Sequence, residues 1–343
     1  MTVVRSPWSV VKIVYRVALC IMLSALCFFG AMLLTLCVPA QGQQTRVPRI
    51  GLLSPGRAGP SPGHEAFRQG LYALGYVEGK NIVIEHRFAE GKPESFPDLA
   101  TELVHLKVDV IVAGSFPGTR AVKQATSTIP IVTISADPVG TGLAQSLSRP
   151  GGNVTGFSYM TPDLSGKRLE LLKEAVARLT RVAVLWNSAY SHEVLAFRET
   201  ELAAKALGVQ LQFLEVRDSN EFDAAFSAMA RKRTEALIVF ENVITIFHRR
   251  LIADLAAKNR LPSMYERREF VEDGGLIAYG PSVPDMYRRA ATFVDKILKG
   301  TKPQDLPVEQ PTKFEFVINL KTAKQIGVTI PPNVLARADQ VIK

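Results

Sequence analysis

Short apolar runs alternate with helically spaced apolar residues along most of this chain. Runs such as 49–53 (RIGLL), 108–113 (VDVIVA) and 236–240 (ALIVF) are typical of buried β-strands. Between them, apolar residues recur every three or four positions, which is the spacing of an amphipathic helix. The same spacing predicts two helices in the last segment, 320–341, separated by a Pro331-Pro332 turn. Strands that alternate with helices predict right-handed βαβ units and parallel sheets covered on both faces.

The alternation runs twice along the chain, which predicts two doubly wound α/β lobes. A turn-forming stretch at 149–153 (RPGGN) falls between the two series, and we expect it to carry the chain from one lobe to the other. We place lobe 1 at 45–155 plus about 281–310, and lobe 2 at 156–280 plus about 311–343.

The first 40 residues have the composition of an export signal. Residues 1–16 carry three basic side chains and no acidic one, and 17–40 carry no charge. This pattern predicts a signal peptide at 1–40, cleaved after Ala40. The uncharged stretch is longer than the usual signal core and could span a bilayer, which needs about 20 residues. An uncleaved membrane anchor therefore stays open as the alternative.

All three cysteines, Cys20, Cys27 and Cys37, lie in this leader and each follows a leucine. A lipoprotein cysteine would directly follow a small residue, so the pattern argues against a lipid anchor. The chain after the leader has no cysteine, which excludes a disulfide, a thiolate metal site and a cysteine nucleophile from it.

Charge gives little sign of a nucleic-acid partner. The formal net charge is +9, and the leader contributes three of these charges, so the remainder carries +6. The basic residues are scattered, and the densest cluster, 231–233 (RKR), falls at a predicted helix end, where cations are favoured by the helix dipole. No basic patch with interleaved aromatic residues predicts nucleic-acid binding.

The turns that follow the predicted strands contain the candidate binding residues. In open parallel sheets, ligands bind beyond the carboxyl ends of the strands, where helix N-termini present free N–H groups. The residues at these turns are Ser54, Ser115, Asp137, Asn187, Glu241, Tyr265 and Tyr279. Serine hydroxyls and helix N-termini would bind a carboxylate, Asp137 or Glu241 an ammonium group, and the rings an apolar side chain.

Each candidate also has a purely structural interpretation. Ser54 and Ser115 could be helix N-caps, since Ser is favoured there. Asp137 and Asn187 could stabilise turns or caps, Glu241 could be a solvated charge, and the two tyrosines could be core aromatics. The hypothesis of a binding site depends on all seven lying at one edge of the predicted sheets.

Enzyme and cofactor signatures are missing from the sequence. It contains no phosphate-binding Gly-x-x-x-x-Gly-Lys-Ser/Thr motif, and the glycines after the first strand do not fit Gly-x-Gly-x-x-Gly. The stretch 59–63 (GPSPG) matches a nucleophile elbow only in letters, because two prolines flank Ser61 and the strand ended earlier. The five histidines lack metal-ligand spacing. We therefore expect no catalytic residue, no metal and no cofactor.

Seven segments together resemble a known family, the ABC-transporter substrate-binding proteins of the tryptophan/tyrosine type. The resemblance covers nearly all of the chain after the leader. The segments that carry it are 49–54 (RIGLLS), 67–82 (FRQGLYALGYVEGKNI), 136–143 (ADPVGTGL), 149–156 (RPGGNVTG), 164–173 (LSGKRLELLK), 318–324 (INLKTAK) and 336–341. It implies a type I periplasmic-binding-protein fold with two Rossmann-like lobes and a three-crossing hinge. The family's cleft positions fall on the seven candidate residues above.

The resemblance implies a periplasmic solute-binding protein of an ABC importer, with permease and ATPase subunits as partners. Its cargo would be a small molecule captured by hinge closure; an aromatic or branched amino acid or a related small acid is our first expectation. The alternative is an extracytoplasmic ligand-sensing module anchored by an uncleaved leader. An enzyme on the same scaffold is the third hypothesis, since fold does not fix function.

Overall fold

Strands and helices alternate in the computed structural model of the protein, which describes residues 46–343; the predicted leader lies outside the described residues. The strands are β1 (Arg49–Ser54), β2 (Val83–Phe88), β3 (Val110–Ala113), β4 (Ile131–Ser135), β5 (Val154–Ser158), β6 (Arg181–Trp186), β7 (Gln210–Glu215), β8 (Ala236–Val239), β9 (Ser263–Tyr265), β10 (Ile277–Pro281), β11 (Val308–Glu309), β12 (Phe314–Asn319) and β13 (Gln340–Ile342). The helices are α1 (Pro62–Ala73), α2 (Phe96–His105), α3 (Phe116–Ala125), α4 (Thr161–Ala175), α5 (Ser191–Leu207), α6 (Phe222–Arg231), α7 (Val243–Phe247), α8 (Arg249–Lys258), α9 (Arg268–Glu272), α10 (Val283–Leu298), α11 (Leu320–Ile326) and α12 (Pro332–Leu335). None of these helices is long and apolar enough to cross a bilayer.

The first sheet is parallel throughout, in the order β11-β5-β4-β3-β1-β2. Its central strands are almost wholly buried because helices cover both faces. Helices α1 and α10 pack together on one face, where Phe67 and Met286 join the core. Helices α2 and α3 cover the other face, with Phe96 and Leu103 in a second core cluster. These two layers make lobe 1 a rigid support for the turns at its strand ends.

The second sheet repeats this arrangement, in the order β13-β12-β10-β9-β8-β6-β7. Only β12 runs antiparallel to its neighbour β10; the other pairs described are parallel. Helices α4 and α5 cover one face, and α6, α8 and α9 cover the other. In each sheet the strand order reverses beside the first strand, between β1 and β3 and between β6 and β8. Such switch points are where open α/β sheets bind ligands.

The chain passes between the two sheets three times. The crossings lie at 159–160, between β5 and α4, at Ser282, between β10 and α10, and at 310–313, between β11 and β12. The crossing predicted at 149–153 is therefore misplaced, because β5 pairs with β4 along its whole length and belongs to the first sheet. At the first crossing Met160 adopts a left-handed backbone conformation with φ of 54°. The exact bounds of the two lobes stay a prediction.

The end of the chain differs from the sequence expectation. Helices α11 and α12 lie where two helices were predicted, but α12 spans only Pro332–Leu335. The chain then extends as β13, parallel to β12, with Val341 beside Ile318. The Asp339 carboxylate accepts a hydrogen bond from the Phe316 N–H at 2.7 Å and fixes this pairing. An open sheet edge therefore overrode the weak local helix preference of 336–341.

Gly156 in β5 provides a test of how closely the first sheet is packed. Its φ is +130°, and a Cβ there would lie 2.1 Å from the Thr133 carbonyl oxygen of β4. We expect Gly156→Ala to lower the free energy of unfolding by about 3 kcal/mol, from backbone strain and strand separation together. Gly142→Ala is the control, since Gly142 has φ of +75° but open space around its Cβ position. Urea denaturation should show that Gly142→Ala lowers the free energy of unfolding by about 1 kcal/mol. If the two variants lost the same free energy of unfolding, the packing argument would be contradicted.

Candidate functional site

Two cavities lie between the lobes, at the carboxyl ends of both sheets. The larger has a volume of about 510 Å³ and is lined by segments 54–64 of lobe 1 and by 246–251 and part of α9 in lobe 2. The smaller, of about 20 Å³, adjoins it and is lined by 114–117 and 241–243 among others. Both therefore lie at the switch points that the strand order creates. We call the two cavities together the interlobe cleft.

Three of the seven residues predicted from sequence line this cleft: Ser54, Ser115 and Glu241. The Ser54 hydroxyl accepts a hydrogen bond from the Gly56 N–H at 3.3 Å. The Ser115 hydroxyl caps α3, accepting from the Gly118 N–H at 3.2 Å. Ser54 therefore stabilises a turn and Ser115 caps a helix. Both also line the cleft, so each could contact a ligand as well.

Asp137 and Asn187 lie near the same edge of the sheets but line neither cavity. The Asp137 carboxylate accepts from the Gly140 N–H at 2.9 Å, inside its own turn. The Asn187 side-chain oxygen accepts from the Ala189 N–H at 3.0 Å. Both side chains hold the turn that follows their strand, as Asn and Asp commonly do.

The two predicted tyrosines also lie away from the cavities. Tyr265 is fully buried in the core of lobe 2, where its ring stacks on Phe270 at 4.6 Å. The Tyr279 ring packs on Phe314 and Phe316 of neighbouring strand β12. Side chains along a strand point alternately to the two faces of the sheet, so both rings pack on a sheet face and do not reach the cleft at the strand ends.

Arg267 lines the cleft and was not among the residues predicted from the sequence. Its guanidinium makes a bidentate ion pair with Glu241, both contacts being 2.5 Å, and donates to the Tyr159 hydroxyl at 3.0 Å. It also lies over the Tyr159 ring at 5.1 Å. The Coulombic attraction of Glu241 raises the pKa of Arg267, although burial opposes the shift. Arg267 comes two residues after β9 and Tyr159 directly follows β5, so the rule that nominated the other candidates could have found both.

A second ion pair lies beneath the cleft, between Arg168 and Glu266 at 3.4 Å. Arg168 also donates to the Tyr279 carbonyl at 2.8 Å and to the Thr161 carbonyl at 3.2 Å. Glu266 accepts from the Thr161 hydroxyl and from the Glu241 N–H. Burial raises the pKa of Glu266, and the Arg168 guanidinium opposes that shift. The pair joins the first crossing to the strand ends of lobe 2.

Glu193 is a fully buried carboxyl group with no arginine or lysine among its hydrogen-bond partners in the described chain. It accepts from the Asn242 amide at 2.9 Å and from the Asn187 N–H at 2.7 Å. Burial raises the pKa of Glu193 well above its ordinary value. The adjacent His192 packs edge-on against Phe116 of lobe 1, with ring centroids 5.7 Å apart, and burial lowers its pKa. The ring contact between His192 and Phe116 joins the lobes, and the hydrogen bonds of Glu193 lie within lobe 2 beside it.

The lobe 1 wall of the larger cavity is formed by Tyr287 and His64, which meet edge-on at 5.7 Å. Tyr287 lies directly over two glycines: a Cβ on Gly114 would be 2.1 Å from its hydroxyl, and one on Gly63 would be 2.8 Å from its ring. Burial lowers the pKa of His64 to about 4, so the imidazole is neutral near pH 7. Among residues 46–343, no group of three His, Cys, Asp or Glu side chains could hold a metal ion.

Helix α7 of lobe 2 reaches across the cleft into lobe 1. Val243 packs in the core cluster that contains Leu53 and Phe96. Phe247 lies against Gly91, whose Cβ would be 2.5 Å from the ring, and beneath the Arg57 guanidinium at 4.4 Å. The lobes are thus in contact along one side of the cleft.

The chain matches the sequence model of the family described as ABC transporter substrate binding protein over residues 62–342. A tyrosine-binding protein of Clostridioides difficile is 28% identical over 266 residues, 77% of this chain and 76% of the relative. The type I periplasmic-binding-protein fold, with its two parallel-rich sheets, is shared with solved substrate-binding proteins.

Two of these structures differ in ligand state. A protein from Streptococcus pneumonia in complex with L-Trp is 26% identical and has a TM-score of 0.80, covering 86% of this chain and 99% of its own. The ligand-free, open structure of a Clostridium difficile substrate-binding protein is 25% identical, with a TM-score of 0.63 and coverages of 87% and 99%. The present chain is therefore more similar in shape to the ligand-bound relative.

Asn242→Asp tests the buried contact between Asn242 and Glu193. The aspartate keeps the oxygen that caps α7 but replaces the amide donor with a second carboxyl group beside Glu193. Both carboxyls then have folded-state pKa values above their unfolded values. Their stabilising contribution is full below the unfolded pKa and is lost as pH rises toward the folded pKa.

We expect the Tm of Asn242→Asp to be close to that of the parent protein at about pH 4, near the unfolded carboxyl pKa, and roughly 5–10 °C lower at pH 8. Asn242→Ala removes both cap and donor but adds no second carboxyl group, so its deficit should change less between the two pH values than that of Asn242→Asp. Thermal unfolding followed by circular dichroism measures both. A pH-independent deficit in Asn242→Asp would contradict the argument.

Proposed function

Because the chain belongs to the family of ABC transporter substrate-binding proteins, we propose that it captures an aromatic amino acid between its lobes and delivers it to an importer. The observation that carries this proposal is the cavity of about 510 Å³ between the strand ends of both lobes. Cavities of roughly 300–1,000 Å³ suit small-molecule ligands. The family and the predicted export signal support delivery outside the cytoplasm, to permease and ATPase subunits.

The lining of the larger cavity supports an aromatic cargo. Phe247, Phe270 and Tyr287 line it together with His64, and offset or edge-on contacts between such rings and a ligand ring are favourable. One similar protein is named for a tyrosine ligand, and another was solved in complex with L-Trp. Of the residues predicted from sequence, we propose Ser54, Ser115 and Glu241 as cleft residues that contact or orient the ligand.

Hinge closure is the second part of the proposal. The three short crossings permit rotation of one lobe against the other, and hinge closure around a ligand is a common response of two-lobed proteins. The contacts of Phe247 with Gly91 and Arg57 exist only when the lobes are together. The ligand and these contacts would therefore stabilise the same closed state.

Direct binding measurements test the cargo class. We expect L-tryptophan and L-tyrosine, at one hundred times their dissociation constants, to stabilise the protein by about 2.7 kcal/mol, which is roughly 5–10 °C in Tm. Leucine should shift the Tm less, because it has no ring to meet the aromatic lining, and a hexose not at all. Differential scanning fluorimetry and titration calorimetry supply the readouts. An equal response to all four compounds, or none to the aromatic amino acids, would overturn the proposal.

Gly91→Ala tests closure without altering a residue that lines the cavity. The added methyl group would overlap the Phe247 ring in the closed state, so we expect ligand affinity to fall about tenfold and the bound form to be less compact. Gly79→Ala is a matched control, since φ is +79° there against +78° at Gly91, but nothing lies within 4 Å of its Cβ position. Calorimetry and small-angle scattering measure the two effects. Equal affinities in the two variants would rule out this contact as part of closure.

A further inference from the structure

The two sheets have four edge strands in the described part of the chain, and one of them differs from the rest. The edges are β2 and β11 in the first sheet and β7 and β13 in the second. Strands β11 and β13 have only two and three residues, and β2 carries Glu85 and Arg87. Short length and charged side chains are features that protect open edges from pairing with another chain. Strand β7 (QLQFLE) has six residues and no charge before its last one, so it lacks both forms of protection.

The open side of β7 is formed by the backbone of Leu211, Phe213 and Glu215. Strand β7 runs parallel to β6, and the N–H groups of Gln210 and Val216 donate to carbonyl groups on the β6 side at 2.8 Å. Successive residues of a strand direct their N–H and C=O groups to opposite sides, so the even-numbered residues face β6 and the odd-numbered ones face away. Within the described residues, no backbone hydrogen bond reaches these three from another segment. The edge therefore offers three N–H donors and three carbonyl acceptors to an added strand.

Apolar side chains on both faces of β7 are only half-buried. The Phe213 ring packs on Phe197 of α5, with centroids 3.7 Å apart, and lies 6.0 Å from the Trp186 ring. Leu211 packs on the same face as Phe213, and Leu214 packs on the opposite one. All four central residues of β7 retain partial exposure. A second strand beside β7 would cover these side chains, because cross-strand pairs of apolar and aromatic residues stabilise a sheet.

The charges that flank β7 have opposite signs at its two ends. Before the strand, the last turn of α5 carries the exposed cation Lys205. After it come the exposed carboxylates of Glu215, Asp218 and Glu221, against a single cation, Arg217, which pairs with Glu215. Two antiparallel copies of β7 would place the basic end of one beside the acidic end of the other, whereas a parallel pairing would bring like charges together. The charge pattern therefore favours a second copy of this chain, related by a two-fold axis.

We propose that the β7 edge, defined by Leu211, Phe213 and Glu215, is a self-association surface at which two copies of the chain pair antiparallel into one continuous sheet. A two-fold axis at Phe213 places Leu211 opposite Glu215 of the second copy, so that the outward groups of all three residues are hydrogen-bonded. Gln212 then lies opposite Leu214 of the second copy, in a pair without mutual hydrogen bonds. The pairing occupies the edge of both copies, so assembly stops at the dimer. The two clefts lie at opposite ends of the joined sheet, because the paired strands run in opposite directions.

Sedimentation equilibrium and light scattering of the exported protein over a range of concentrations test the pairing. We expect the parent to reach the molar mass of two chains. Leu211→Pro removes an outward N–H but keeps the N–H groups that face β6, so it should weaken the dimer at least about 100-fold. Lys205→Glu, which gives both ends of β7 the same sign, should weaken it about tenfold at low salt. Lys258→Glu is the matched control, since Lys258 is also an exposed cation in the last turn of a helix, α8, and should leave the dimer unchanged.

Disulfide cross-linking tests the register of the two strands. The chain after the predicted leader has no cysteine, so an introduced one is unique there. A mixture of Gln212→Cys and Leu214→Cys proteins should form covalent dimers on mild oxidation, because opposed residues of such a pair have Cβ atoms close enough for a disulfide. Either variant alone should form far fewer, and the parent serves as the control without an introduced thiol. Melting temperatures close to that of the parent would show that the variants are folded.

Several outcomes would refute the inference without affecting solute capture, which one copy can perform alone. A parent that stays monomeric at every concentration rules out self-association. A dimer that folded Leu211→Pro leaves intact forms through another surface, and species larger than a dimer contradict a closed two-fold interface. If the parent is monomeric but binds a synthetic peptide of residues 209–216, the edge accepts a foreign strand and the second copy is excluded as its occupant. Cross-linking that is no stronger in the mixture than in either cysteine variant alone contradicts the register centred on Phe213.

Discussion

The buried ion pair between Arg168 and Glu266 is the interaction on which the cleft of lobe 2 depends. Arg168 has 1% of its surface exposed and Glu266 has 3%, so neither charge is solvated by water. Removing one partner of such a pair would leave the other charge uncompensated, a loss of about 3–5 kcal/mol. Their remaining hydrogen bonds go to Thr161 at the first crossing, to the Tyr279 carbonyl and to the Glu241 N–H. One pair therefore fixes the end of β10, the start of α4 and the turn that presents Glu241.

That fixed turn sets the electrostatics of the cleft above it. Glu241 is held in place by its backbone, and Arg267 is then oriented by both Glu241 oxygens and by Tyr159. Because Arg267 is directed toward Glu241, it is not available as a hydrogen-bond donor to Glu269. Burial raises the pKa of Glu193, Glu266 and Glu269, and the Coulombic attraction of Arg168 for Glu266 and of Arg267 for Glu269 opposes the shift. Through the hydrogen bond from the Glu241 N–H to Glu266, the Arg168–Glu266 pair thus positions the pair between Arg267 and Glu241 at the cleft.

The sequence was sufficient for the fold because apolar runs in parallel sheets are nearly continuous. The run at 49–53 is β1 with one residue more, and the run at 236–240 is β8 with one residue fewer. Three-residue strands such as β9 and β13 carry no such signal, because pairing with a neighbour and not local pattern makes them strands. The site was predicted less well. Residues at strand ends were found by rule, whereas the partners of Arg168, which is a helix residue distant in sequence, depend on tertiary contacts alone.

The choice between helix cap and ligand-binding residue, which the sequence left open for Ser115, is not exclusive in physical terms. A serine hydroxyl has two acceptor lone pairs and one proton. At Ser115 one lone pair accepts from the Gly118 N–H, which leaves the proton free to be donated to a group in the smaller cavity. Capping also fixes the rotamer, so a ligand would not have to order the side chain on binding. A cap at the carboxyl end of a parallel strand is thereby a preorganised donor, because the same hydrogen bond that starts the helix orients the hydroxyl at the cleft.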